Sequence, residues 1–134
     1  MLTGMYCATT NNIQITVTPR FLSDESAPDK GHFVWSYSID IENRGGRTVQ
    51  LLSRYWKIVD AAGRVQEVQG AGVIGEQPVL PPGESFSYTS GVPLTTPSGF
   101  MAGHYVMEAE SGERFDVEVP AFSLDCTDER RIVH

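Results

Sequence analysis

Glycines at positions 70, 72 and 75, in the run Gly70-Ala71-Gly72-Val73-Ile74-Gly75, have the spacing of a loop that cradles a pyrophosphate. That chemistry needs a strand before the loop, a helix after it whose N-terminus faces the phosphates, and an acid near the ribose. The residues that follow are Glu76-Gln77-Pro78-Val79-Leu80-Pro81-Pro82-Gly83. Prolines at 78, 81 and 82 rule out a helix there. The glycines then read as turn or bulge positions of a β protein. A smaller functional version survives, in which loop N–H groups form an anion nest without a helix.

Basic residues precede this loop. Arg44, Arg47, Arg54, Lys57 and Arg64 are half of all Lys and Arg in the chain. In a regular strand Arg54 shares a face with Trp56, and an arginine lying on an indole can grip a phosphate or carboxylate with two nitrogens. The candidate anion site is therefore Gly70, Gly72 and Gly75 with Arg47, Arg54 and Trp56. The structural alternative is an arginine whose aliphatic stem covers an aromatic ring.

Other chemistry has less to work with. His32, His104 and His134 have no nearby histidine or cysteine, and no C-x-x-C or H-x-x-x-H spacing occurs. Glu108, Glu110, Asp116 and Glu118 form a weak candidate face for a hard cation, and a solvated acidic face explains them as well. Ser53, Ser98 and Ser111 lack the strand–turn–helix setting of a nucleophile elbow. No catalytic residue and no cofactor is expected.

The elements that must carry these residues are strands. Ile13, Ile15 and Val17 alternate with Gln14, Thr16 and Thr18. Phe33, Trp35, Tyr37, Ile39 and Ile41 alternate with Val34, Ser36, Ser38, Asp40 and Glu42. Residues 48–60 are apolar on both faces, which predicts a strand covered on both sides or one carrying a bulge. In the last hairpin, putting Tyr105, Met107 and Ala109 on one face with Phe115, Val117 and Val119 sets Ala109 opposite Phe115. Glu108 then opposes Asp116, across a three-residue loop Ser111-Gly112-Glu113. About seven to nine short antiparallel strands, with no helical period, predict an all-β protein: a sandwich, or alternatively a small barrel.

Length and charge set the outer limits. The chain has 134 residues, enough for one domain with a self-sufficient core. The packed part is expected at about 10–124 within a single domain spanning 1–134, with flexible tails at both ends. Net charge is −7, from 17 acidic and 10 basic residues. Such a chain gains no counterion-release affinity for nucleic acid. No apolar run approaches the 18 or so residues of a membrane span, and no leader is apparent. A cytoplasmic setting is expected, with Cys7 and Cys126 as free thiols.

Several stretches resemble the ApaG (CorD) family. They are Tyr37-Ser-Ile-Asp-Ile-Glu-Asn43, Val49-Gln-Leu-Leu-Ser-Arg-Tyr-Trp56, the run from Glu67 to Pro78, that from Leu80 to Gly91, Thr96-Pro97, Met101-Ala-Gly-His-Tyr105, and that from Phe115 to Leu124. Together they cover about residues 10–124. Tyr55 stands where many members carry histidine. The resemblance implies an immunoglobulin- or fibronectin-III-like sandwich without known enzymatic activity. It also implies a link to cobalt resistance and magnesium efflux, and a domain used for protein interaction. A non-catalytic module that binds another protein is the leading functional expectation. The alternatives are a pyrophosphate or nucleotide held at residues 70–75, and a weak divalent-cation sensor on the acidic hairpin.

Overall fold

A computed structural model describes residues 5–126. Among the described residues nine strands form two antiparallel sheets. The first sheet orders β1 (Tyr6–Thr10), β2 (Ile13–Phe21), β3 (Phe33–Asn43) and β7 (Ser85–Leu94) side by side. The second orders β5 (Val65–Ala71), β4 (Val49–Asp60), β8 (Ser98–Ala109) and β9 (Arg114–Asp125), with the short β6 (Val79–Leu80) also on β4. The expected sandwich is what forms, and the barrel alternative drops away.

Alternation places the core. The even-spaced apolar residues of β2 and β3 are buried against Leu51, Trp56, Met101, Tyr105, Met107, Val117 and Phe122 of the second sheet. Trp56 meets Tyr37, Tyr105 and Phe122 edge to face, the arrangement that ring quadrupoles favour.

Two expectations need correction, and a third is met. Residues 6–10 are not a tail: they form β1, which pairs with β2 along its whole length. Their side chains also reach β9, where the Glu118 N–H donates to Thr10 Oγ1 and the Ser123 N–H to the Tyr6 hydroxyl. The C-terminal tail and His134 lie outside the described residues. In the last hairpin Met107, not Ala109, opposes Phe115, and Glu108 faces Arg114. The turn is longer than expected, with Ala109 N–H donating to the Glu113 carbonyl and Gly112 N–H to the Ala109 carbonyl. The observed register differs from the expected one by two residues, a shift that leaves every side chain on its face. Finally, residues 48–60 do carry a bulge: pairing with β8 slips between Leu51 and Ser53.

One buried polar side chain joins the two sheets. Asn43, at the end of β3, is 1% exposed. Its Nδ2 donates to the carbonyls of Arg47 and Leu80, each at 2.8 Å, and its Oδ1 accepts from the Gly45 N–H. These bonds fix both the β3–β4 turn and the approach of β6. Asn43→Ala would leave these groups unsatisfied, at a cost of roughly 3 kcal/mol. Urea denaturation should show that loss. A change below about 1 kcal/mol would mean that the junction does not depend on Asn43.

The β4–β5 turn has its own clamp. Asp60 Oδ1 accepts the N–H groups of Ala62 and Arg64, and its Oδ2 accepts Arg64 Nε at 2.9 Å. The Arg64 side-chain bond, aided by these backbone N–H groups, holds the Asp60 carboxyl below the usual carboxylate range. A lowered folded-state value contributes stability above the unfolded pKa, and that contribution is lost as pH falls through the folded value. Arg64→Gln should therefore move the Asp60 titration upward in a carboxylate NMR experiment. An unmoved midpoint would show that the arginine is not the cause.

Candidate functional site

The glycine-rich segment is a projecting β-hairpin. Gly72 leaves β5 with φ +65°, and Ile74 and Gly75 occupy the tip with φ +40° and +79°. Val73 and Glu76 pair through two 2.8 Å backbone bonds. Two central residues at positive φ are the mark of a type I′ hairpin turn. The glycines follow from this geometry. A Cβ on Gly72 would collide with the Glu76 carbonyl oxygen. A Cβ on Gly70 would lie 2.9 Å from the guanidinium of Arg54.

The base of the hairpin is held by the β4 bulge. The Leu52 carbonyl accepts both the Gly72 N–H at 2.8 Å and the Gln77 side-chain amide at 2.9 Å. Arg54 Nη1 donates to the carbonyls of Ala71 and Gly72, at 3.2 and 2.9 Å. Gln50 donates to the Gln77 carbonyl. Val73 is completely buried, and Pro78 leads the chain back to β4 through the Leu51 N–H. Between these fixed points Ile74 stands in solvent, 58% exposed.

This arrangement answers the anion-site expectation residue by residue. A nest needs successive free N–H groups. Those of Gly72, Val73 and Glu76 are already donated to Leu52, Glu76 and Val73. Arg54 does share a face with Trp56, but that face is the inward one, and its guanidinium is turned to loop carbonyls. Trp56 is a core residue at 3% exposure, not a stacking platform. Arg47 is elsewhere: it pairs with Glu113 at 2.7 Å and lies over the Phe115 ring. The structure joins Arg54 to the glycine loop and leaves Arg47 and Trp56 out of it.

The acidic residues of the last hairpin do not converge either. Glu108 forms an ion pair with Arg114 at 3.1 Å. Asp116 opposes Val106, Glu118 opposes His104, and Glu110 sits in the turn. Among the described residues no group of three or more His, Cys, Asp or Glu side chains is placed to hold a metal ion.

Sequence reasoning passed over two features. The outward row Gln69–Tyr55–His104–Glu118 crosses the second sheet. There Tyr55 stacks on His104 with ring centroids 5.2 Å apart, and its hydroxyl donates to Glu67 Oε2 at 2.6 Å. That bond raises the Tyr55 pKa above its usual value. The second feature is a buried pair, Tyr88 and Tyr105, whose hydroxyls meet at 2.6 Å. Burial raises both pKa values, so both stay protonated at neutral pH. Cross-strand register would have revealed the outward row. Ile74 itself had no signal beyond its place between two glycines.

Comparison with known proteins fits this picture. The family model for the ApaG domain matches residues 23–109. Protein ApaG of Azorhizobium caulinodans is 59% identical over 130 residues, covering 97% of this chain and 100% of that one. Protein ApaG of Paramagnetospirillum magneticum is 59% identical over 126 residues, covering 94% and 97%. The crystal structure of the putative ApaA protein from Bordetella pertussis superposes with a TM-score of 0.84 at 44% identity, covering 86% of this chain and 94% of that one. With its sandwich and its glycine hairpin in place, the chain belongs to the ApaG family.

Proposed function

We propose that this chain is a non-catalytic binding module that presents the hairpin of residues 72–77 to another protein, with Ile74 as the apolar anchor. The observation that carries this reading is Ile74 itself. A β-branched residue at φ +40° is strained, and here it is also 58% exposed. Exposure removes any packing reward for the strain, and a rigid apolar knob is what a partner pocket can receive at little ordering cost. The link of ApaG-like proteins with cobalt resistance and magnesium efflux then runs through that partner. A cytoplasmic setting is part of the proposal, supported by the free thiols Cys7 and Cys126. No helix among the described residues is long and apolar enough to cross a membrane. A pyrophosphate or nucleotide at residues 70–75 has weaker support, because the Gly72 and Val73 amides are already donated.

Stability and binding should move in opposite directions at the tip. Ile74→Asn supplies the Asn-Gly pair that type I′ turns favour, and should stabilise the fold by about 1 kcal/mol. The same variant should lose partners that the wild type captures when both are immobilised in equal amount. A more stable variant with an unchanged partner set would refute the anchor role. At the base, Gly72→Ala should cost about 2 kcal/mol or more, whereas Gly75→Ala, with open space around it, should cost about 1 kcal/mol. Thermal denaturation of the two variants checks that order, and a reversed order would contradict the hairpin geometry.

A further inference from the structure

The four sheet edges of this sandwich are not equally protected. The β1 and β9 edges lie together, tied by the bonds to Thr10 and Tyr6. The β7 edge carries Pro93, which has no N–H to offer. Among the described residues strand β5 pairs only with β4; it is exposed at five of its seven positions, and contains no proline and one ionisable residue, Glu67.

The backbone directions within β5 are set by its neighbour. Asp60 N–H donates to the Arg64 carbonyl, and Gly72 N–H to the Leu52 carbonyl. Hydrogen-bonded pairs alternate along an antiparallel ladder. Residues 64, 66, 68, 70 and 72 therefore face β4, and Val65, Glu67, Gln69 and Ala71 aim their N–H and C=O groups away from it.

We propose that β5 pairs with the β5 strand of a second copy of this chain, antiparallel about a two-fold axis through Val68. In that register Val65 meets Ala71 and Glu67 meets Gln69 of the second copy, twice over by symmetry. Every outward residue then faces another outward residue, so all the free groups of the edge are paired. Each Glu67 meets a carboxamide instead of a carboxylate. Its Oε2 accepts the Tyr55 hydroxyl, and its other oxygen is directed to the Gln69 amide. The two Val68 side chains meet at the axis in a non-hydrogen-bonded pair, where side chains approach most closely. Competing registers are worse. A one-residue shift sets free groups against groups already bonded to β4. Centring on Glu67 opposes two like charges, and centring on Gln69 leaves Val65 without a partner. The proposal uses the strand and not the hairpin tip, so it stands or falls separately from the role of Ile74.

Sedimentation equilibrium over a range of concentrations is the test, with thermal denaturation run alongside. The wild type should be a reversible dimer. Gln69→Pro removes an N–H that points away from β4, so the monomer should keep its fold and the dimer should vanish. Gln69→Glu sets two carboxylate pairs across the axis and should weaken association by about tenfold. Gln69→Lys should tighten it. Amide exchange at Glu67 and Gln69 should slow as the dimer fills. A wild type that stays monomeric at every concentration would overturn the proposal, as would a dimer that folded Gln69→Pro leaves intact. Should Gln69→Pro unfold, equal association of Gln69→Glu and Gln69→Lys would overturn it instead.

Discussion

A single extra residue in β4 organises the second sheet and the glycine hairpin beside it. Before the bulge, Val49 and Leu51 point into the core; after it, Trp56 and Ile58 do. Without the slip, strict alternation would turn Ser53 and Tyr55 inward and put Trp56 in water. The bulge also leaves the Leu52 carbonyl free of the β8 ladder, where it gathers Gly72 and Gln77. It sets Arg54 on the inward face, close enough to hold the carbonyls of Ala71 and Gly72. Core, clamp and outward tyrosine are consequences of one irregularity in register.

The clamp decides what the glycine loop can offer. A phosphate loop keeps its amides free and its carbonyls turned away. Here the Ala71 and Gly72 carbonyls face an arginine, and the Gly72, Val73 and Glu76 amides close a hairpin. Burial of Val73 at the base and exposure of Ile74 at the tip make the loop a rigid projection. The strain at Ile74 is held without any burial of its side chain. On the proposed reading, the chain is a scaffold that presents a small, fixed apolar contact to a partner.

Much of the fold was legible because period two is a strong signal. The alternation of β2 and β3 named their buried residues, and the two-sided apolar character of residues 48–60 offered a bulge as one of two readings. Register was less legible for a physical reason. Shifts by two residues preserve which face is buried, so pattern alone could not distinguish Glu108 opposite Asp116 from Glu108 opposite Arg114. Strand β1 was missed because Cys7-Ala8-Thr9-Thr10 has no apolar alternation, and its place is set by pairing with β2 and by β9 backbone N–H groups that donate to its own side chains. At the site, the proline-rich continuation correctly spoke against a dinucleotide helix. The arginine cluster misled, because nearness in sequence gathered Arg47 with Arg54 while the fold sends Arg47 to Glu113. Ile74 was invisible, since its meaning depends on a φ angle that only the hairpin reveals.

The central claim is that the Gly72, Val73 and Glu76 amides are spent on holding a rigid hairpin. Native-state hydrogen exchange of individual amides tests it most directly. The account predicts that Gly72, Val73 and Glu76 are protected nearly as well as the neighbouring ladder of β4, while Ile74 and Gly75 at the tip exchange fast. Exchange at unfolded-chain rates for Gly72 and Val73 would show a loose loop with free amides, and would contradict both the clamp and the strain placed on Ile74.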